Sequence, residues 1–248
     1  MAVGTNNRRI YAIGDIHGSI DELGSLWANI QADLSARPHD APLVVFLGDY
    51  TDRGRDSRGV VEQLIAWRDD TALETRFIYG NHDHCFLTYL SEPLTKSTPT
   101  LHWLNPRMGG DKTLASYGIA DCSDEDPLAA HPAFTAAVPR QHVTFLRTAE
   151  RMIRVGSYLF VHAGIRPNVP LPEQEETDLI WIRAPFLDDK TDHGFIVVHG
   201  HTPVKEVEHH GNRIAVDTGA VFGGLLSAVV LEDNSASVLD ARGLRQLS

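Results

Sequence analysis

Cysteine is nearly absent: Cys85 and Cys122 are the only two in 248 residues. Two thiols cannot build a disulfide framework for a chain of this size, and they lack the spacing of a thiolate metal site, so a reducing cytoplasm is the expected setting. No apolar stretch approaches the roughly 18 residues that a spanning helix needs, and the opening MAVGTNNRRI is not followed by the apolar core of an export signal. Positive charge is scarce too. Lys and Arg number 22 against 33 Asp and Glu, a formal net charge of −11, which argues against nucleic acid or an anionic membrane as a partner. An anionic substrate would need concentrated local positive charge, of the kind bound metal ions supply. Internal repeats and low-complexity tracts are missing as well.

What is present is ordinary globular composition, 42% hydrophobic and 22% charged, in a length that suits a single domain over 1–248. Arg9 to Asp15 reads as a short apolar strand, and Ser19-Ile20-Asp21-Glu22 as a capping box that opens a helix carrying Leu23, Leu26, Trp27, Ile30 and Leu34. Leu43 to Leu47 and then Val60, Val61, Leu64 and Ile65 repeat the strand-then-helix pattern. Later apolar runs at Arg76 to Tyr79, Tyr158 to Val161, Phe195 to Val198, Arg213 to Val216 and Ser227 to Leu231 read as strands. Early βα alternation followed by strand-rich sequence predicts a layered α/β fold with mixed sheets. Between Ser91 and Arg140 the chain turns rich in Pro, Thr and Gly, and an excursion from the sheet is expected there, either a surface connection or a cap over the site. Arg166 to Asp178 reads as a solvated loop.

Five clusters each place polar side chains directly after an apolar strand: GDIHG at Gly14, GDYTDRG at Gly48, GNHD at Gly80, HAG at His162 and HGHT at His199. Singly they are weak, since Gly-Asp and Asn-containing turns are common. Their shared position is the informative feature, because strand C-terminal ends converge on one crevice in α/β sheets. Together they offer Asp15, His17, Asp49, Asn81, His162 and His201, an oxygen and nitrogen ligand set with one carboxylate able to bridge two cations. Without thiolates, Mn²⁺, Fe or Zn²⁺ fits better than a soft-metal site.

This order of clusters resembles the phosphoprotein phosphatase family of the calcineurin-like metallophosphoesterases, from Gly14 to Thr202, and GNHD and HAG resemble its small bacterial and phage members. The resemblance implies a sandwich of two mixed β-sheets flanked by helices, with a dimetal site at strand C-terminal ends. It assigns Asp15 and His17 to one metal, Asp49 as the bridge, and Asn81, His162 and His201 to the other, with two ions per chain and Mn²⁺ foremost. His199 is given a structural role, and Asp83 the support of its turn. A hydroxide held between the metals would attack phosphorus, and His82, oriented by Asp52, would protonate the leaving oxygen. Arg53, and Arg183 in Trp181-Ile182-Arg183, would clamp the phosphate.

The expected function is metal-dependent phosphomonoester hydrolysis, as a serine/threonine protein phosphatase that also accepts phosphotyrosine, with a phosphoprotein or phosphopeptide as partner. Two alternatives stand beside it. One is a symmetrical diadenosine tetraphosphate hydrolase, a branch in which the DRG triplet is typically altered, whereas Asp52, Arg53 and Gly54 are intact here. The other is a scaffold without catalysis, whose sign would be lost ligands.

Overall fold

The computed structural model describes residues 4–91, 103–120, 122, 126 and 128–247. The chain opens with β1 (Arg9–Ile13), α1 (Ile20–Ala36), β2 (Pro42–Phe46), α2 (Ser57–Asp69), β3 (Glu74–Phe77) and α3 (Asn81–Ser91). Short helices α4 (Gly110–Ser116), α5 (His131–Ala137) and α6 (Arg140–Thr148) lead to the hairpin of β4 (Met152–Val155) and β5 (Tyr158–Val161). Then come α7 (Glu176–Trp181), α8 (Ala184–Leu187), β6 (Ile196–His199), β7 (Glu208–His209), β8 (Arg213–Ala215), β9 (Ala228–Glu232), β10 (Ser235–Asp240) and β11 (Gly243–Gln246).

Two mixed sheets form. The first runs β11-β10-β9-β1-β2-β3, with β1, β2 and β3 parallel and β9 antiparallel to β1. The second runs β4-β5-β6-β8-β7, with β5, β6 and β8 parallel and the two edges antiparallel. Strand alternation divides the core. Ile10, Ala12, Leu43 and Val45 pack with Phe160, Val198 and Ile214 between the sheets, while Tyr11, Ile13, Val44 and Phe46 pack with Leu23, Trp27, Val61 and Leu64 under α1 and α2. With both faces covered, these strands run apolar through IYAI and PLVVF, and the charged residue that opens β1, Arg9, is paired with Glu232.

Several local expectations are revised. The capping box at Ser19 does not form: Ser19 occupies the N-cap without a side-chain bond, and the turn closes through the backbone, Leu23 N to Ser19 O at 3.0 Å. β3 starts and ends earlier than the apolar run suggests; just beyond it Ile78 still donates to the Phe46 carbonyl at 2.8 Å while bridging Glu150 on its other side. The edge strands β4 and β11, and β10 beside β11, are short or half-exposed and lack a strong apolar signature. In the segment expected to form an excursion or cap, residues 92–102, including His102, lie outside the described residues. From Trp103 on, the chain is built in: Trp103, Met108, Thr113 and Leu114 are buried, with α4 against α2 and α5 against α3. No helix among the described residues is long and apolar enough to cross a membrane.

An aromatic stack fixes the helical layer on the first sheet. Trp27 lies 3.9 Å from Trp67, Phe46 4.9 Å from Phe77, and Phe77 meets Phe145 edge-on at 5.0 Å. Phe46→Ala removes the fully buried ring at its centre and is expected to cost about 3–5 kcal/mol of stability. Urea unfolding followed by tryptophan fluorescence reads the loss, and a change below about 1 kcal/mol would contradict this packing.

Candidate metal centre

The loops after β1, β2, β3, β5 and β6 deliver the five clusters to one place, where the C-terminal ends of the two sheets meet. The backbone there is unusual. His17 (φ 47°), Asp49 (φ 52°), Asp52 (φ 76°), Arg53 (φ 65°) and His201 (φ 66°) are all left-handed non-glycine residues, a conformation that costs about 1–3 kcal/mol each and persists only where surrounding structure imposes it. Here the imposing structure is identifiable. Asp83 accepts hydrogen bonds from the amides of Asp49 (3.0 Å), Tyr50 (3.1 Å) and Gly80 (3.0 Å), and the Asp49 carbonyl accepts from Ile16 (3.2 Å) and His17 (2.8 Å). A Cβ at Gly80 would overlap Asp49, and one at Gly200 would overlap the Asp15 carboxylate, so both positions need glycine for the loops to approach.

Asp49 is the shared element. Its ligand atom, with those of His17 and His82, forms one group within 4.8 Å, and with those of His162 and His201 a second. Asp49 Oδ2 lies 3.5 Å from His17 Nε2, and Oδ1 lies 3.3 Å from His162 Nε2 and accepts the His82 amide at 2.9 Å. Burial opposes ionisation of Asp49, yet His162, His82, His17 and His201 around it hold its carboxyl well below the usual range. Burial pushes the imidazoles of His17 and His162 down, and that of His201 down to about 2. The rings therefore offer neutral nitrogen, the form that ligates metal.

The tautomers show that cations fit. His162 Nδ1 sits 2.8 Å from the Leu47 carbonyl and His17 Nδ1 2.8 Å from that of Thr51, which places the proton on Nδ1 of each neutral ring. The His162 Nε2 lone pair then faces the side-chain oxygen of Asn81 at 2.9 Å. Two lone pairs at that distance repel unless a metal ion or proton lies between them or the Asn81 amide turns its NH2 inwards, and burial disfavours the added proton. His17 Nε2 faces the Arg53 guanidinium at 2.5 Å, again a lone pair turned towards positive charge. His201 Nδ1 is also 2.9 Å from the Asn81 oxygen, and its buried Nε2 has no hydrogen-bond partner among the described residues.

Asp15 stands beside these groups without joining either. Its two oxygens accept the His201 amide at 3.1 Å each, and burial, with Asp217 and Asp49 nearby, pushes its carboxyl well up. The ligand-atom group of His17 contains Asp49 and His82, and Asp15 lies next to it, close enough to Asp49 for the two charges to repel. His199 is fully buried against Phe186, its ring 5.1 Å away, and belongs to neither group. Arg183 caps the start of α8 at the exposed rim, near enough for its charge to help depress His201.

Behind the metal groups lies a buried polar network. His82 Nδ1 is 2.7 Å from Asp52 Oδ2, which also accepts Trp103 Nε1 at 2.7 Å, and Asp52 Oδ1 accepts Thr113 Oγ1 at 2.7 Å. Burial raises the Asp52 carboxyl, and these three donors oppose the shift. Sequence reasoning assigned no role to Trp103 or Thr113; they sit 51 and 61 residues from Asp52, and no local pattern joins them. It also passed over Asp217, which is buried beside Asp49 and Arg53 and pushed up to about 6 by its burial. Asp217 follows β8 as the recognised clusters follow their strands, so the same rule would have found it.

A family model described as calcineurin-like phosphoesterase matches residues 8–230. Among curated proteins, the chain is 26% identical over 243 residues to the asymmetrical bis(5'-nucleosyl)-tetraphosphatase PrpE of Anoxybacillus flavithermus, covering 88% of each chain. It is 26% identical over 238 residues, again 88% of each, to the protein of the same name from Bacillus cereus. Among solved structures it resembles the cold-active protein-tyrosine phosphatase of a psychrophilic Shewanella, with TM-score 0.61, 19% identity, and coverage of 98% of this chain and 82% of the other. The step from an intact DRG triplet to a protein phosphatase loses its force here. The triplet folds its loop, with Asp52 and Arg53 left-handed and Gly54 tight against His17, a task independent of the leaving group.

Asp83→Asn turns one acceptor oxygen into a donor facing an amide donor. It is expected to lower stability by about 1–3 kcal/mol and Mn²⁺ affinity by roughly tenfold or more. Thermal unfolding and Mn²⁺ titration calorimetry measure the two effects, and unaltered metal affinity would separate Asp83 from the centre.

Proposed function

The chain belongs to the calcineurin-like phosphoesterase family, and from that membership we propose that it hydrolyses bis(5'-nucleosyl) tetraphosphates, with Mn²⁺ the foremost candidate cation. The observation that carries this reading is the likeness to tetraphosphatases along 88% of both chains. The intact donor set supports catalysis over a scaffold that has lost it. Asp15, His17 and Asp49 on one side, and Asn81, His162 and His201 with Asp49 on the other, would hold two divalent cations. When bound, these cations offset the charge of the phosphoryl oxygens and acidify an attacking water.

The chain's own residues complete the reaction. Arg53 donates to phosphoryl oxygens through a planar fork, and Arg183 reaches in from the rim. His82, its Nδ1 tied to Asp52, turns Nε2 towards the centre, 4.0 Å from Asp49 Oδ2. It holds a proton for the leaving oxygen as the phosphorus–oxygen bond breaks. Trp103 and Thr113 fix Asp52, and so the imidazole, in that orientation.

That same acid pair favours a second reading, hydrolysis of phosphoserine, phosphothreonine or phosphotyrosine in proteins. An alkoxide leaving group is far more basic than a nucleoside phosphate and depends more on a positioned acid. Metal-stripped protein restored with Mn²⁺ and given a dinucleoside tetraphosphate, a phosphothreonine peptide and a phosphotyrosine peptide at matched concentration decides between them. Higher kcat/KM on the dinucleotide is expected; preference for either peptide would make the protein-phosphatase reading the right one. His82→Asn is expected to lower kcat by about 10²- to 10⁴-fold on an alkyl phosphate, and by less on the dinucleotide. Equal losses on both would remove His82 from the role of acid.

A further inference from the structure

We propose that the groove beside Arg53 is a nucleotide subsite, in which the Phe222 ring stacks on a nucleobase while Arg107 and Lys112 hold phosphates lying away from the metal centre. The inference rests on the dinucleotide reading above and assigns the part of the substrate that the metals do not touch. The groove encloses about 530 Å³ between the Pro106–Lys112 stretch and the turn Ala220–Phe222, within the roughly 300–1,000 Å³ of small-molecule sites.

Its charge is opposite to that of the chain as a whole. Arg53, Arg107 and Lys112 line it against the single carboxylate of Asp111, which lies 3.0 Å from Lys112, in a protein of net charge −11. Among the described residues no carboxylate forms an ion pair with Arg53 or Arg107. Arg107 is therefore free to take phosphate oxygens, and Arg53, with one nitrogen 2.5 Å from His17 Nε2, keeps its other donors for them.

Phe222 is 64% exposed, against 39% for Trp181 and 41% for Leu244. One exposed ring means little by itself, but this one is held out by a constructed turn. Gly219 (φ 66°) and Gly223 (φ 89°) flank it in left-handed conformation. Asp217 accepts the Gly219 amide at 3.0 Å, Thr218 Oγ1 donates to the Leu225 carbonyl at 2.6 Å, and a Cβ at Gly224 would overlap the Thr218 carbonyl. The Arg53 guanidinium lies 5.4 Å from the ring centroid, so one arginine joins the groove to the centre. A rigid aromatic face beside guanidiniums that no carboxylate neutralises is the pairing that binds bases with their phosphates.

The test is steady-state kinetics with Mn²⁺ on a dinucleoside tetraphosphate and on p-nitrophenyl phosphate, which has no base, for the wild type, Phe222→Ala, Phe222→Trp and Arg107→Ala. Phe222→Ala should raise KM for the dinucleotide about tenfold and lower its kcat/KM relative to p-nitrophenyl phosphate by a similar factor; Phe222→Trp should restore both. Arg107→Ala should raise the same KM and flatten its dependence on salt. Equal losses on both substrates in Phe222→Ala would show a merely structural ring and overturn the subsite, as would an unchanged dinucleotide KM. A wild type that turns over p-nitrophenyl phosphate but not the dinucleotide overturns the substrate reading and the subsite together, whereas wild-type turnover with indifferent variants overturns the subsite alone.

Discussion

The centre depends on one carboxylate gripping three main-chain amides. Asp83, fully buried, accepts from Asp49, Tyr50 and Gly80, and so bends the chain after β2 onto the chain after β3. Burial and the neighbouring Asp49 push the Asp83 carboxyl up, while the amide donors oppose that shift. With Asp49 held left-handed, its carbonyl receives the amides of Ile16 and His17, which fixes the loop after β1 as well. Three strand ends are thereby locked around the residue common to both ligand groups. Metal geometry tolerates little slack, and this network removes it before any ion binds.

The second constraint is close approach between the two sheets. Gly48 sits where a Cβ would lie 2.8 Å from Gly80 N and 2.9 Å from His162 Nδ1, and at Gly14 a Cβ would lie 2.6 Å from the Val216 carbonyl. Loops of the first sheet thus rest directly on those of the second. His162 and His201 come from the second sheet, His17 and Asp49 from the first, and a side chain at any of these junctions would hold the halves of the centre apart. The glycines adjoining the acidic and histidine residues are part of the ligand geometry.

Behind this centre the buried Asp52 carboxylate is fully hydrogen-bonded. Asp52 has a partner on each oxygen from outside its own loop, and the donors, Trp103 and Thr113, belong to a stretch that looks like a surface connection when read as sequence. An unsatisfied buried carboxylate would cost several kcal/mol; a satisfied one orients His82 rigidly. The same stretch continues as one wall of the groove beside Arg53, so one element both fixes Asp52 and His82 and lines the neighbouring groove.

The layered α/β class, the strand-then-helix beginning and the candidate ligands Asp15, His17, Asp49, Asn81, His162 and His201 are legible in the sequence, because each is written locally as an apolar run followed by glycine and a polar side chain. Such patterns survive in one dimension, since burial on both faces keeps the central strands apolar along most of their length and tight turns demand glycine. The folded molecule is needed to see that Trp103 and Thr113 close on Asp52, that Asp15 accepts the His201 amide, and that Asp217 lies beside Asp49 while holding the turn that carries Phe222. Those relations join residues tens to nearly two hundred positions apart. They follow from how two sheets pack and where their loops meet, which no periodicity or short motif records.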